Sequence, residues 1–206
     1  MTDVTRRTVL QASLLALTSL PAMSRAAPAP PSWPSSLIQA ARAQIGVTTL
    51  YDPTYVKLTY PGGDVPPDRG VCTDVVIRAY RRAFGLDLQA LLHEDMKANF
   101  AAYPKAWGMK APDPNIDHRR VPNLAVYFTR RKAALPLSED FATYRPGDLV
   151  TQMLPGNLTH IVIVSSKRST EARGRPLVIQ NIGAGASEDD TLFAYQRTGH
   201  YRFAPV

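Results

Sequence analysis

The chain has 206 residues, 45% of them apolar, a formal net charge of +7 and a single cysteine. This length fits one domain, and the apolar content suffices for a buried core, which excludes a wholly disordered chain. One cysteine excludes an internal disulfide and a zinc site built on cysteines, and no apolar run reaches the roughly 18–20 residues that a membrane span requires. No nucleic-acid-binding motif accompanies the basic charge, so we expect no nucleic-acid partner.

The first 26 residues have the pattern of a secretory signal peptide, in which the basic pair Arg6-Arg7 precedes an apolar stretch and a small-residue cleavage region. Paired arginines in this position resemble the twin-arginine export signal, and a chance basic pair on an ordinary secretory signal is the alternative. Either signal predicts a periplasmic or other extracytoplasmic protein. Residues 27–34 form a proline-rich spacer. Residues 35–206 are predicted to form a single domain.

Helical periodicity dominates the first half of this domain. A helix is predicted to begin at Ser35 and to be stopped by Gly46, with Ile45 on its buried face, and a long loop follows from Val47 to Arg69. The clearest helix runs from Cys72 to Phe84, because its apolar residues recur on one face and a glycine follows it. Two more helices are predicted, one capped by Asp87 and one after Pro122.

After Pro146-Gly147 the apolar period changes to two, which is the period of half-buried strands. The predicted strands are Asp148–Leu154, His160–Ser165, Leu177–Ile182, Leu192–Gln196 and His200–Phe203. Helices followed by an antiparallel meander indicate an α+β fold in which a helix packs on a curled sheet.

Cys72 is the first residue of its helix rather than a member of the apolar stripe. Unpaired N–H groups and the helix dipole at this position favour the thiolate and predict a lowered pKa for Cys72, and the same N–H groups can hold an oxyanion. His160 begins a buried strand, from which it can reach the helix as a general base. The alternative for Cys72 is a small core residue. An unpaired thiol in an exported protein favours the catalytic interpretation.

Two sets of motifs carry a family resemblance. Gly70-Val71-Cys72-Thr73-Asp74-Val75-Val76 resembles the opening of NlpC-type cell-wall cysteine peptidases, and Pro146–Val150 and Thr159–Val164 resemble two of their strands. More closely, the chain from about Ile45 to Phe203 resembles the exported bacterial family "domain of unknown function 1287". The segments that match are Tyr60–Asp64, Gly70–Asp74, His93–Met96, Asn115–Val121, Asn181–Gly183 and Gly199–Arg202. The resemblance implies a papain-like (NlpC-type) fold.

By this resemblance Cys72 is the nucleophile, His160 is the base, and a third polar residue orients the imidazole. Gln180 aligns with that third residue and Asn181 is the alternative, since only one of two successive strand residues can face His160. The implied function is a monomeric, exported cysteine hydrolase that cleaves amide bonds in peptidoglycan stem peptides without a metal or cofactor. The residues around Cys72 depart from the NlpC pattern, because Val71 stands where Asp is expected and Asp74 where Gly is expected, which leaves the substrate open.

A charged loop between prolines supplies further candidates for the cleft. Either of its arginines can bind a stem-peptide carboxylate, and ordered loops often carry function. The candidates for substrate binding are Asp74, Asp117, His118, Arg119 and Arg120, and one of Tyr51, Tyr55 and Tyr60 is expected to line the cleft. Two other function classes remain open, namely a non-catalytic cell-wall-binding protein on a degenerate peptidase fold and a thiol acyltransferase.

Overall fold

Helices come first and an antiparallel sheet follows in the computed structural model, which describes residues 31–172 and 174–205. The predicted signal peptide and the start of the proline-rich spacer lie outside the described residues. Within the described ranges, the helices are α1 (Trp33–Arg42), α2 (Cys72–Phe84), α3 (Leu88–Asn99) and α4 (Val121–Arg130). None of these helices is long and apolar enough to cross a membrane.

The helix that carries Cys72 has the predicted bounds. Gly85 ends it in the left-handed conformation, with a φ of 67°, where a residue without a Cβ is favoured. The prediction for α1 is wrong at both ends. It begins at Trp33, because a proline in the first turn needs no hydrogen-bond partner for its nitrogen, and it ends at Arg42. Ile45 therefore lies beyond the helix and is 41% exposed.

The main sheet has six strands in the order β3-β8-β4-β5-β6-β7, and all its neighbouring strands are antiparallel. The strands are β3 (Ala134–Leu135), β4 (Leu149–Leu154), β5 (Leu158–Arg168), β6 (Pro176–Asn181), β7 (Ala186–Asp189) and β8 (Gln196–Tyr201). Two short strands, β1 (Leu50–Tyr51) and β2 (Arg69–Gly70), pair in parallel outside this sheet. Helices followed by an antiparallel sheet confirm the α+β class.

The predicted strand from Leu192 to Gln196 is wrong. Leu192 is fully buried in a turn, and the strand of this region is β7, which lies earlier in the chain. Leu192 and Phe193 pack against the apolar cluster on one face of the sheet, so their hydrophobicity reflects burial of a turn. The last strand also begins earlier than predicted, at Gln196 instead of His200.

Side chains on β5 alternate between two hydrophobic clusters. Ile161 and Ile163 belong to the large cluster formed with α1, α2, α3 and α4. Val162 and Val164 point to the opposite face, where they contact a smaller cluster that includes Tyr144. The strand that carries His160 is thus fixed from both sides, and α2 packs directly against it.

A polar cluster around Glu188 joins α1 to the far edge of the sheet. Its carboxylate accepts hydrogen bonds from Arg42 Nη2 (2.7 Å), Lys167 Nζ (2.8 Å) and the Ser165 hydroxyl. Burial alone would raise the pKa of Glu188, but these donors outweigh it and lower the pKa to about 2. In the folded protein Glu188 therefore stays charged down to about pH 2.

We expect Glu188→Gln to lower the free energy of unfolding at pH 7 by about 1–3 kcal/mol, because two cations lose a charged acceptor. Since the pKa of this carboxyl falls from 4.5 in the unfolded chain to about 2 in the folded one, its contribution is present above pH 4.5 and is lost as the pH falls towards 2. Urea unfolding at pH 7 and at about pH 3 measures the loss of stability and its dependence on pH. The exposed Glu171→Gln is the matched control, and a loss for Glu188→Gln that is equal at both pH values would contradict the assignment.

Candidate active site

Cys72 lies at the start of α2, between this helix and β5. Its side chain is 3% exposed, and its thiol lies against the main-chain N–H groups of Ile161, Thr73 and Cys72 itself. Ile161 directly follows His160, so this contact fixes the cysteine beside the histidine strand. Cys72 forms part of the wall of a cavity of about 360 Å³.

The pKa of the Cys72 thiol is raised, to about 12, which contradicts the lowered pKa expected from its helix position. Burial is the main cause, and the neighbouring Asp74 carboxylate adds to it. The main-chain N–H groups favour the thiolate but offset only part of these effects. The free protein therefore holds a neutral thiol at pH 7.

His160 and Gln180 are joined by a hydrogen bond of 2.7 Å between the imidazole Nε2 and the amide Oε1. Both residues are buried, on the adjacent strands β5 and β6. The Gln180 amide nitrogen donates to Asp189 (2.8 Å), so its oxygen faces the imidazole and Nε2 carries the proton. Burial lowers the pKa of His160, which leaves a neutral imidazole whose Nδ1 is an unprotonated acceptor.

Asn181 has a different role from its neighbour Gln180. Its amide nitrogen donates to the carbonyl oxygens of Gly70 (3.0 Å) and Leu50 (3.4 Å), and its oxygen accepts from Gly183 N–H (3.2 Å). It therefore ties β6 to the loop that precedes Cys72. Of these two residues, Gln180 contacts His160 and Asn181 contacts the loop.

The structure places Cys72, His160 and Gln180 at one junction of α2, β5 and β6. Among the described residues no hydrogen bond joins the Cys72 thiol to the His160 imidazole. The two side chains line adjoining cavities, of about 360 Å³ at Cys72 and about 400 Å³ at His160. Both cavities include Tyr51, Trp107 and Thr159 in their walls, so they form two arms of one cleft.

Asp74 and Arg119 form a buried ion pair beside the cysteine. Arg119 Nη2 lies 2.9 Å from Asp74 Oδ2, which also accepts the Val71 N–H (2.7 Å). Arg119 further donates to the carbonyl oxygens of Asp52 (2.9 Å) and Thr54 (3.0 Å). Protein groups thus occupy the hydrogen-bonding atoms of this pair, which holds the loop before Cys72 in place. Both residues were predicted from the sequence to bind substrate, and that role stays a prediction.

The other members of the charged loop are also folded into the protein. Asp117 and His118 are 1% and 2% exposed and belong to a short 3-10 turn, Asp117–Arg119, instead of a solvated loop. Burial raises the pKa of Asp117 to about 6 and lowers that of His118 to about 4. Neither side chain lines the cleft, so the structure does not place them against a substrate.

Arg120 differs from the rest of the loop because it faces the cleft. It lies in the wall of the Cys72 cavity with a side chain that is 20% exposed, and its guanidinium stacks 4.4 Å from the centre of the Trp107 ring. A single hydrogen bond of 3.3 Å links its Nη1 to Asp117. Arg120 is therefore the candidate from this loop with donors available to a ligand.

A family comparison covers the whole of this site. The family model described as "Domain of unknown function (DUF1287)" matches residues 38–203. The chain belongs to the DUF1287 family. The "Uncharacterized protein YijF" of Escherichia coli (strain K12) is 49% identical over 205 residues, which cover 94% of this chain and 98% of that protein. Neither name states an activity.

The cleft of this DUF1287 domain is lined by exposed aromatic side chains. Tyr51, Tyr55 and Trp107 are 42%, 55% and 56% exposed and line the Cys72 cavity, whereas Tyr60 lies outside it and bonds to Glu94. Trp107 was not predicted as a cleft residue from the sequence. The sequence signal was an isolated tryptophan before a glycine. The backbone of Trp107 is left-handed, with a φ of 59°, and hydrophobic periodicity cannot predict such a conformation.

We expect Cys72 to react more slowly with iodoacetamide at pH 7 than a free cysteine does, because burial raises its pKa to about 12. The alkylation rate should keep rising up to about pH 10. Mass spectrometry of the intact protein gives this rate, with N-acetylcysteine as the reference thiol. A rate that is already constant between about pH 6 and pH 7 would reveal a resting thiolate and contradict the assignment.

Proposed function

We propose that this DUF1287 protein is an exported cysteine hydrolase of papain-like, NlpC-type fold that cleaves amide bonds in peptidoglycan stem peptides. The observation that supports it best is the 2.7 Å bond from His160 to Gln180, which leaves Nδ1 of a neutral imidazole as the available base. Export is inferred from the N-terminal sequence pattern alone, and the cell wall is the amide-rich polymer of that compartment.

The proposed first step forms a thioester. Cys72 Sγ attacks the carbonyl carbon of the scissile amide while His160 Nδ1 takes the thiol proton. The N–H groups at the start of α2 and of Ile161, which lie against the sulfur, are near enough to stabilise the developing oxyanion. The C–N bond then breaks, and the imidazolium returns its proton to the leaving amine.

The second step releases the acyl group. Water attacks the thioester carbonyl, and His160 Nδ1 takes one of its protons. The C–S bond breaks, and the proton passes to the sulfur, so that a carboxylic acid leaves and the neutral thiol is restored. General acid–base catalysis of this kind typically contributes about 10²–10⁴-fold.

The two arms of the cleft suit different halves of the substrate. His160 protonates the leaving amine, so that half belongs in the arm beside His160, which is lined by Leu154, Asn157 and Leu158. The acyl half belongs in the arm beside Cys72, where Arg120 offers hydrogen-bond donors to an anion. A stem-peptide residue with a free carboxylate next to the scissile bond fits this arm.

A non-catalytic cell-wall-binding protein is the second candidate. The observation that favours it is the burial of Cys72, whose side chain is 3% exposed and neutral at pH 7. In this case the exposed aromatic residues of the cleft bind the polymer, and Cys72 serves as a small core residue. Loss of the thiol would then leave binding unchanged.

We expect Cys72→Ala and His160→Ala each to abolish release of fragments from purified sacculi, because one removes the nucleophile and the other the base. The double variant should lose little more than either single variant, since the two groups act as a unit. Mass spectrometry of the soluble fragments measures activity, and thermal melts establish that the variants fold. A wild-type protein that binds sacculi but releases no fragment would favour the second candidate.

We expect Arg120→Gln to raise KM about tenfold or more for a substrate whose acyl residue carries a free carboxylate, because a charge-assisted hydrogen bond is lost. The same substrate with a carboxamide should show no such difference between the two proteins. Arg131→Gln is the matched control, since Arg131 is exposed and does not line the cleft. An unchanged KM for the carboxylate substrate would remove Arg120 from the binding site.

A further inference from the structure

The Gln180 amide is held by a set of polar groups at the far edge of the sheet. Its Nε2 donates to Asp189 Oδ1 (2.8 Å) and to Thr191 Oγ1 (2.7 Å). The Thr191 hydroxyl in turn donates to Asp189 Oδ1 (2.6 Å), and the Ser187 hydroxyl donates to Asp189 Oδ2 (2.7 Å). Gln180 is fully buried within this cluster.

The Asp189 carboxylate determines which atom donates and which accepts in each of these hydrogen bonds. Asp189 accepts its hydrogen bonds from Gln180, Thr191 and Ser187, so both protons of the Gln180 amide nitrogen point to the side of Asp189 and Thr191. The amide oxygen must then face His160. Because an oxygen without a proton can only accept, His160 Nε2 must be the donor, and the neutral ring has no proton left for Nδ1.

We propose that Asp189 and Thr191 are positioning residues that lock His160 in the Nε2–H tautomer through the Gln180 amide. If the amide turned over, its nitrogen would face His160 and Nε2 would have to accept. The proton would then move to Nδ1, the nitrogen that the proposed reaction needs free. That catalytic consequence rests on the proposed function, whereas the tautomer follows from the hydrogen bonds alone.

The turn that carries Thr191 is itself held by β4. Gln152 lies opposite His160 in the pairing of β4 with β5, and its Nε2 donates to the carbonyl oxygens of Thr191 (3.1 Å) and Leu192 (3.1 Å). Leu192, which belongs to this turn, is fully buried. The hydroxyl of Thr191 is therefore fixed relative to Gln180 by packing and by main-chain contacts.

The experiment is a measurement of the His160 tautomer by long-range ¹H–¹⁵N NMR on the labelled protein, with His160→Gln used to assign its signals. We expect the wild type to show Nε2–H and an unprotonated Nδ1. Asp189→Leu, which removes the acceptor at similar size, should add a population with Nδ1–H. It should also lower kcat for the release of fragments from sacculi about 10- to 1000-fold with little change in KM, since orientation of the base is lost.

Two variants distinguish the lock from general damage to the strand. Asp189→Asn retains one acceptor oxygen and should therefore keep the wild-type tautomer and most of the wild-type kcat. Ser187→Ala removes a bond to Asp189 that does not involve Gln180, and it should leave the tautomer unchanged. Thermal melts accompany each variant.

Wild-type protein with Nδ1–H would overturn the proposal even if no variant folds. A folded Asp189→Leu that retains only Nε2–H would overturn it as well. If the tautomers behave as expected while no protein cleaves any substrate, the lock stands and the proposed hydrolase activity fails.

Discussion

The buried ion pair between Asp74 and Arg119 determines the shape of the cleft. Asp74 accepts the N–H that precedes Cys72, and Arg119 links that carboxylate to two carbonyl oxygens of the loop after β1. A Cβ on Gly70 would lie 2.9 Å from Asp74 Oδ2, so the close approach requires a glycine there. Because a buried charge that loses its partner costs about 3–5 kcal/mol, the pair behaves as one structural unit.

Burial, more than this pair, changes the chemistry expected of Cys72. A helix dipole favours a charge at its N-terminus by only about 0.3–1 kcal/mol, whereas full burial can shift a pKa by several units. Burial, aided by the Asp74 carboxylate, therefore prevails, and the thiol stays neutral. In the proposed reaction a neutral imidazole with an unprotonated Nδ1 complements a neutral thiol, because proton transfer would then accompany attack instead of preceding it.

The sequence predicted those elements whose apolar residues face a core with a regular period. The bounds of α2 followed from its stripe and from Gly85, and Gln180 followed from the alternation of side chains along β6 and from a family resemblance. The strand β7 was missed because its residues, Ala-Ser-Glu-Asp, have no apolar alternation. A polar strand that is held in the sheet by hydrogen bonds leaves no hydrophobic period to detect.

Several polar contacts escaped prediction because they join residues that are distant in sequence. Glu188 pairs with Arg42 across 146 positions, and Asn181 bonds to Gly70 across 111. Asp189 is close to Gln180 in sequence, but its effect on the imidazole depends on the direction of each hydrogen bond, which only the folded chain defines. The strand β7, which has no hydrophobic pattern in the sequence, thus supplies two contacts. Glu188 anchors α1, and Asp189 is the acceptor that orients the Gln180 amide towards His160.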